Sequence, residues 1–382
     1  MQDYRPKGRS SMNLDAIFNM SKVKFAKLDV LFDDVEIREI ISSVNIFINI
    51  ESIYHKFHNK YVEEQILVMK KPELKDMVVN VIGNTINLAA HYRLYFRKNK
   101  IKTNIVFYMN EFSKYSQQNN AMHVDGYREK YVHNYTKNSS YENINMVMKT
   151  ALNGIDKIVE YIEGVYFITS DRIESSLIPY LMSKEKMIDG QLDIIVTTDP
   201  YDLQYANKNF VVIYPRGDES RIISEKNLFD VFRDSGDLSI DKPLPTYLYP
   251  FILAVIGDKR RGINKIKGVG LNTIYRTLLK LYDKLGLDDD EYLRFEQLAV
   301  AIKEDPENPS GNRERVINNY MAIDLDRQLA MVSPSQIKHV SGQLKDRYDD
   351  ISLKTINREW MSSCPINLVE LNQYHKKEKS LF

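Results

Sequence analysis

The chain has a single cysteine, Cys364, which excludes an internal disulfide and a cysteine metal cluster. Its seven histidines are scattered and show no zinc-ligand spacing. No apolar run approaches the roughly 18 residues a membrane helix needs, and the N-terminus lacks the pattern of a secretory signal. The expectation is a chain with no membrane partner that works in a cytoplasm. No internal repeat is visible. Net charge is also nearly absent, at +1. Such a balance neither demands nor excludes a nucleic-acid partner, because where charge sits matters more than its sum.

What is present is 382 residues with 43% hydrophobic and 27% charged content, a soluble globular balance long enough for one large or two ordinary domains. Lysine, asparagine, isoleucine and tyrosine are abundant. That bias is common in AT-rich genomes, those of many phages included.

The first dozen residues, with Arg5, Lys7 and Arg9 beside Gly8, Ser10 and Ser11, read as a mobile arm. Short apolar runs bounded by polar residues then predict strands at 44–50, 104–108, 164–168, 192–197 and 210–214. Between them lie helical patterns. One starts at Pro72 with Glu73 and Asp76 in its first turn and runs to Lys98; others are expected at 141–160, 171–184 and 199–204. This rhythm predicts an α/β fold, a mostly parallel twisted sheet flanked by helices. After Pro215 the pattern turns to helices and loops, so the expected organisation is a lead-in over 1–42, an α/β core over 43–215, a helical module over 216–330 and a helical extension over 331–382.

Two stretches carry charge patterns of interest. From Ala254 to Leu279 an apolar segment runs into Gly257-Asp258, a basic loop follows, and Gly268-Val269-Gly270 opens a run with Ile274, Leu278 and Leu281 at helical spacing. We read helix, glycine hairpin, helix. The glycines alone fit equally an ordinary connection between two helices. With Lys259, Arg260, Arg261, Lys265 and Lys267 around them, they favour a phosphate site, since Gly268 and Gly270 let backbone approach an anion at a helix N-terminus. The second stretch, 111–140, interleaves Lys114, Tyr115, Tyr127, Arg128, Lys130, Tyr131, His133, Tyr135 and Lys137 in a polar setting. Cations that hold phosphate and rings that stack on bases suit a nucleic-acid strand, although a solvated surface excursion has the same composition.

The hairpin stretch resembles the flap endonuclease and phage 5′-nuclease family, whose pattern reads Gly-Asp-x-x-Asp-Asn-Ile-x-Gly-x-x-Gly-Ile-Gly. Gly257, Asp258, Ile263, Gly268, Val269 and Gly270 fall in register, while Arg261 stands at the second family aspartate and Lys265 at the middle glycine. The resemblance spans roughly 44–330. It implies a PIN-like core with a helix-hairpin-helix module, an arch at 111–140, and acidic residues at the strand ends that hold magnesium for phosphodiester hydrolysis. At the positions where the family has those acids, the first strand ends in Asn49 with Glu51 beyond it, and the second ends in Asn110. Asp171 keeps one acid of its motif beside Arg172, with Glu174 an irregular possibility. Asp199 survives with Tyr201 in place of its partner and Asp202 next to it, and Asp258 survives opposite Arg261. Each surviving acid is equally suited to capping a helix.

The resulting expectation is a nuclease-like protein that binds nucleic acid, duplex or junction DNA, without sequence preference and without hydrolysis. No catalytic residue, metal or cofactor is expected, and protein partners in a larger, phage-type assembly fit the same picture. The rivals are a divergent magnesium-dependent 5′-3′ exonuclease or flap endonuclease, and a structural protein that keeps only the fold.

Overall fold

The computed structural model describes residues 41–50, 74–110, 151–156, 159, 163–170, 173–208, 210–216, 219–225, 227–234, 236–240, 242–258, 263–285, 298 and 311–344. The expected arm, the arch-like segment 111–140 and the end of the C-terminal extension lie outside the described residues. So do Glu51, Lys114, Arg128, Lys130, Asp171, Arg172, Lys259, Arg260 and Arg261.

Six strands form one sheet: β1 (Ser43–Asn49), β2 (Lys102–Asn110), β3 (Val165–Ser170), β4 (Leu192–Val196), β5 (Phe210–Arg216) and β6 (Glu219–Ile223). Their order is β3-β2-β1-β4-β5-β6, with every pairing parallel except the last. Strands covered on both faces read as unbroken apolar runs, and β1 is buried from Val44 to Asn49. In register across four strands, Val106, Phe47, Ile195 and Val212 form one row of the core. Burying each such side chain contributes about 1.5–3 kcal/mol. Helix α1 (Leu74–Lys98) links β1 to β2 and sends Val81, Ile82, Tyr92 and Phe96 inward.

Two sequence expectations need correction. The chain does not leave the sheet at Pro215: β5 continues to Arg216, and β6 returns antiparallel beside it. Proline, which lacks an amide donor, is tolerated near this hairpin end. Nor is 171–184 one helix. Glu174 is extended, a 3₁₀ turn spans Ser175–Leu177, and α2 begins only at Ile178 (Ile178–Lys184), because Pro179 suits a first turn and not a helix interior.

At the N-terminal end of the strands, a polar ladder crosses the sheet. Asn104 Nδ2 donates to Asn45 Oδ1 at 2.9 Å, and Asn45 Nδ2 donates to Asp193 Oδ1 at 2.9 Å. Gly190 leaves room for it, since a Cβ there would lie 2.2 Å from Asn45 Nδ2. Burial pushes the Asp193 carboxyl above its ordinary range, against the pull of hydrogen bonds from Ser183 and Asn45. A folded-state pKa raised above the unfolded one contributes stability at low pH that is lost as pH rises through the folded value. We expect Asp193→Asn to flatten the loss of melting temperature between roughly pH 4 and neutrality and to leave the protein no less stable at pH 7. A wild-type melting temperature that rises with pH across this window, with Asp193→Asn parallel to it, would count against the buried acid.

The helical layer follows the sheet. Helix α3 (Asp230–Asp234) and a 3₁₀ turn (Thr246–Leu248) lead to α4 (Tyr249–Ile256), apolar all round and buried from Tyr249 to Val255; among the described residues no helix is long and apolar enough to cross a membrane. Then come α5 (Leu271–Leu285), α6 (Gly311–Ile323), α7 (Leu325–Ala330) and α8 (Pro334–Ser341). This last part is tied back to the sheet. Asp326 accepts from Tyr180 and Lys208. The Gln343 amide brackets the edge of β3, accepting from Thr169 N at 3.0 Å and donating to Thr169 O at 2.8 Å.

Candidate functional site

The strand order reverses between β1 and β4, and the crevice beyond the carboxyl ends of those strands is where ligands gather in such sheets. Asn49 ends β1, and Thr197 follows β4. Both point donors at one buried carboxylate: Asn49 Nδ2 donates to Asp202 Oδ2 at 3.0 Å and Thr197 Oγ1 donates to the same oxygen at 2.6 Å. The Asp199 amide in turn donates to Thr197 Oγ1 at 3.0 Å. Asp199 caps a 3₁₀ helix (Pro200–Asn207), accepting from Tyr201 N at 3.0 Å, a role worth about 1 kcal/mol. Pro200 at its first position needs no partner for a missing amide.

Tyr249, at the head of α4, packs beneath this cluster and donates to Pro200 O at 2.7 Å. Burial pushes its phenol well above the ordinary range, and the charges of Asp199, Tyr214, Asp258 and Asp202 push it further. Tyr249 thus lies in the field of Asp199 and Asp202, on one 3₁₀ helix, and of Asp258, past the end of α4. Tyr201 faces elsewhere: its hydroxyl donates to Ile323 O at 2.8 Å and accepts from Gln328 Nε2 at 2.6 Å. It is a strut to α6 and α7.

Magnesium, which the resemblance implies, takes near-octahedral oxygen ligands, including carboxylates with open lone pairs. Here Asp202 Oδ2 already receives two protein donors and Asp199 Oδ1 receives one. Among the described residues no three acids, histidines or cysteines are grouped to hold a metal ion. The described acids do not fit a magnesium cage.

The loop between α4 and α5 is built from inside out. Gly257 turns the chain at φ 75°, after which Asp258 and Ile263 exchange two backbone hydrogen bonds of 2.9 Å, and Ile266 N donates to Val255 O at 2.8 Å. Ile263 and Ile266 are buried, while Lys265, Lys267, Gly268 and Gly270 are exposed. From α6, Asn319 Nδ2 donates to Ala254 O at 2.8 Å and Asn264 O at 2.9 Å. Ile263 and Ile266 anchor the loop, and Lys265 and Lys267 face water. A Cβ on Gly268 or Gly270 would meet nothing within 4 Å.

Of the residues singled out from sequence, Asp199 and Asp202 sit together on the 3₁₀ helix, Asp258 begins the α4–α5 loop, Lys265, Lys267, Gly268 and Gly270 lie along it, and Glu174 precedes the 3₁₀ turn before α2. Sequence reasoning missed Thr197, Tyr249 and Asn319. Thr197 stands directly after an apolar strand, a signal that was there to read. Nothing local marks the other two.

No family model matches the chain, and no characterised protein matches it by sequence. Several solved structures are similar. A zinc-bound T5 5′-exonuclease has a TM-score of 0.49 at 11% identity over 78% of this chain and 97% of that one. A bacteriophage T5 D15 flap endonuclease, a pseudo-enzyme–product complex with DNA and metal ions, has 0.45 at 11% over 86% and 99%. The catalytic core of Rad2 in complex with DNA substrate has 0.33 at 10% over 91% and 96%. At this level the similarity is one of chain path, and it assigns this chain neither an activity nor a site.

Proposed function

We propose that the chain binds nucleic acid through its phosphate backbone, duplex DNA near a junction or end, and does not hydrolyse it. The observation that carries this reading is the exposure of Lys265, Lys267, Gly268 and Gly270 in the loop before α5. Lys265 and Lys267 form no ion pair among the described residues, and Gly268 and Gly270 leave open space in front of the first turn of α5. Cations beside open backbone at a helix start are suited to phosphates, and they read no base edges. The reading without hydrolysis is supported by the protein donors on one oxygen of each of Asp199 and Asp202.

The test is a duplex of mixed sequence titrated against salt. Each neutralised phosphate contributes about 0.9 to the slope of log affinity on log salt, so Lys265→Ala with Lys267→Ala should lower that slope by about two and weaken all sequences alike. An unchanged slope would move the contact elsewhere. The place of Asp199 and Asp202 beyond the carboxyl ends of β1 and β4 favours one second reading, a divergent magnesium nuclease. Magnesium-dependent cleavage of flapped or nicked DNA, lost in Asp199→Ala or Asp258→Ala, would establish it in place of the first.

A further inference from the structure

Helix α5 continues the loop, and its buried side is set by Ile274, Tyr275, Leu278 and Tyr282. On the opposite side Thr273, Arg276, Thr277, Lys280 and Lys284 recur at helical spacing. There a groove of about 420 Å³ is lined by Ser239, Asn272, Thr273, Arg276, Thr277 and Lys280. Every lining side chain is polar or cationic, and none is acidic.

The groove wall is held in place. Asn272 Oδ1 accepts from Ser239 N and Ser239 Oγ, each at 2.9 Å, and Asn272 Nδ2 donates to Asp237 O at 2.9 Å. This fixes 237–239 against the first turn of α5. The only acid of α5, Asp283, is paired with Lys242. Arg276 and Lys280 are exposed and make no ion pair among the described residues.

We propose that this groove is a second phosphate site, which takes the phosphodiesters of a nucleic-acid strand that leaves the loop and follows α5. The proposal rests on the reading that the loop binds nucleic acid. Thr273 lies three residues past Gly270, so the groove begins where the loop ends. Arg276 and Lys280 are separated by about 6 Å along the helix axis, which lets each meet its own phosphate. Arginine offers a planar fork to one phosphate, and lysine offers a point charge to the next.

The experiment uses the full chain and the same duplex. Arg276→Ala with Lys280→Ala should lower the salt slope by about two and weaken binding at low salt by roughly tenfold or more, while melting stays at the wild-type temperature. The charge-keeping exchange Arg276→Lys with Lys280→Arg should retain the slope. A wild-type slope in the alanine pair, with the Lys265/Lys267 pair still impaired, would overturn the groove and leave the loop reading standing. No binding by the wild-type chain at the lowest salt would overturn both. Inorganic phosphate provides the remaining arm. If it raises the melting temperature only when Arg276 and Lys280 are present, and the DNA slope does not depend on them, the groove serves free phosphate and the strand proposal fails.

Discussion

Asn49→Asp should be strongly destabilising at neutral pH, and a divalent cation should restore much of the loss. Asn49 is 3% exposed and Asp202 is fully buried, and the amide of the first donates to the carboxylate of the second at 3.0 Å. The substitution removes that donor and sets a second carboxyl at hydrogen-bond distance from the first. Two carboxylates so close cannot both ionise cheaply. The expected cost is about 3 kcal/mol or more, the scale of an uncompensated buried charge. The sign with pH follows. The pair holds a proton in the folded state that it would release in the unfolded chain above roughly pH 4, so stability falls as pH rises from there. Calcium offers the pair a counter-charge, and at millimolar concentration it should raise the melting temperature of the variant and leave that of the wild type nearly fixed. A variant as stable as the wild type, with a flat pH profile, would mean that Asn49 and Asp202 are not in contact.

That prediction depends on a detail the sequence hides. The core strands were legible because strands buried on both faces leave continuous apolar runs, and Val44 to Ile50 is one. Strand β6 was not, because Glu219-Ser-Arg-Ile-Ile223 begins polar and follows a proline. Strand ends could be located by the same reasoning, which places Asn49 and Asp199 near the site, while Asp258 enters only through the resemblance of the hairpin stretch. Side-chain direction could not be located. The resemblance puts Tyr201 where the family has an acid, but 200–207 is a 3₁₀ helix with three residues per turn. Asp202 therefore returns to the side on which Asp199 caps the helix, and Tyr201 swings out to α6. A one-residue difference in helical phase decides which side chain enters the site. The apolar spacing of Ile274 and Leu278 also sets Arg276 and Lys280 on the far side of α5, but no local signal makes 237–239 the wall of the groove.

The glycines of the loop should separate sharply on substitution by alanine. Gly257 combines φ 75° with ψ 165°, a region that is essentially closed to other residues and costs about 1–3 kcal/mol to occupy. A Cβ there would also lie 2.5 Å from Lys265 N, 2.6 Å from Ile263 O and 2.9 Å from Lys265 Cα. These are backbone atoms, and no side chain can rotate away to make room. Relief requires the 263–266 segment to move, which breaks the Asp258–Ile263 pair and the bond from Ile266 N to Val255 O. Strain and clash together place Gly257→Ala among the exceptional substitutions, at about 4 kcal/mol or more, and DNA affinity should fall with it because Lys265 sits on the displaced segment. Gly268→Ala meets open space at φ 77°, so only the left-handed backbone resists it, at about 1–2 kcal/mol. Gly270→Ala meets open space without a positive φ, and its melting temperature should stay near that of the wild type. Its effect should appear in binding, since the added methyl occupies the space through which a phosphate reaches the first turn of α5. Chemical denaturation and duplex titration of the three variants check the order Gly257, Gly268, Gly270 in stability. A Gly257→Ala protein that melts with the wild type would refute the packed loop, and a Gly270→Ala protein that binds duplex as the wild type does would remove the phosphate from that end of the helix.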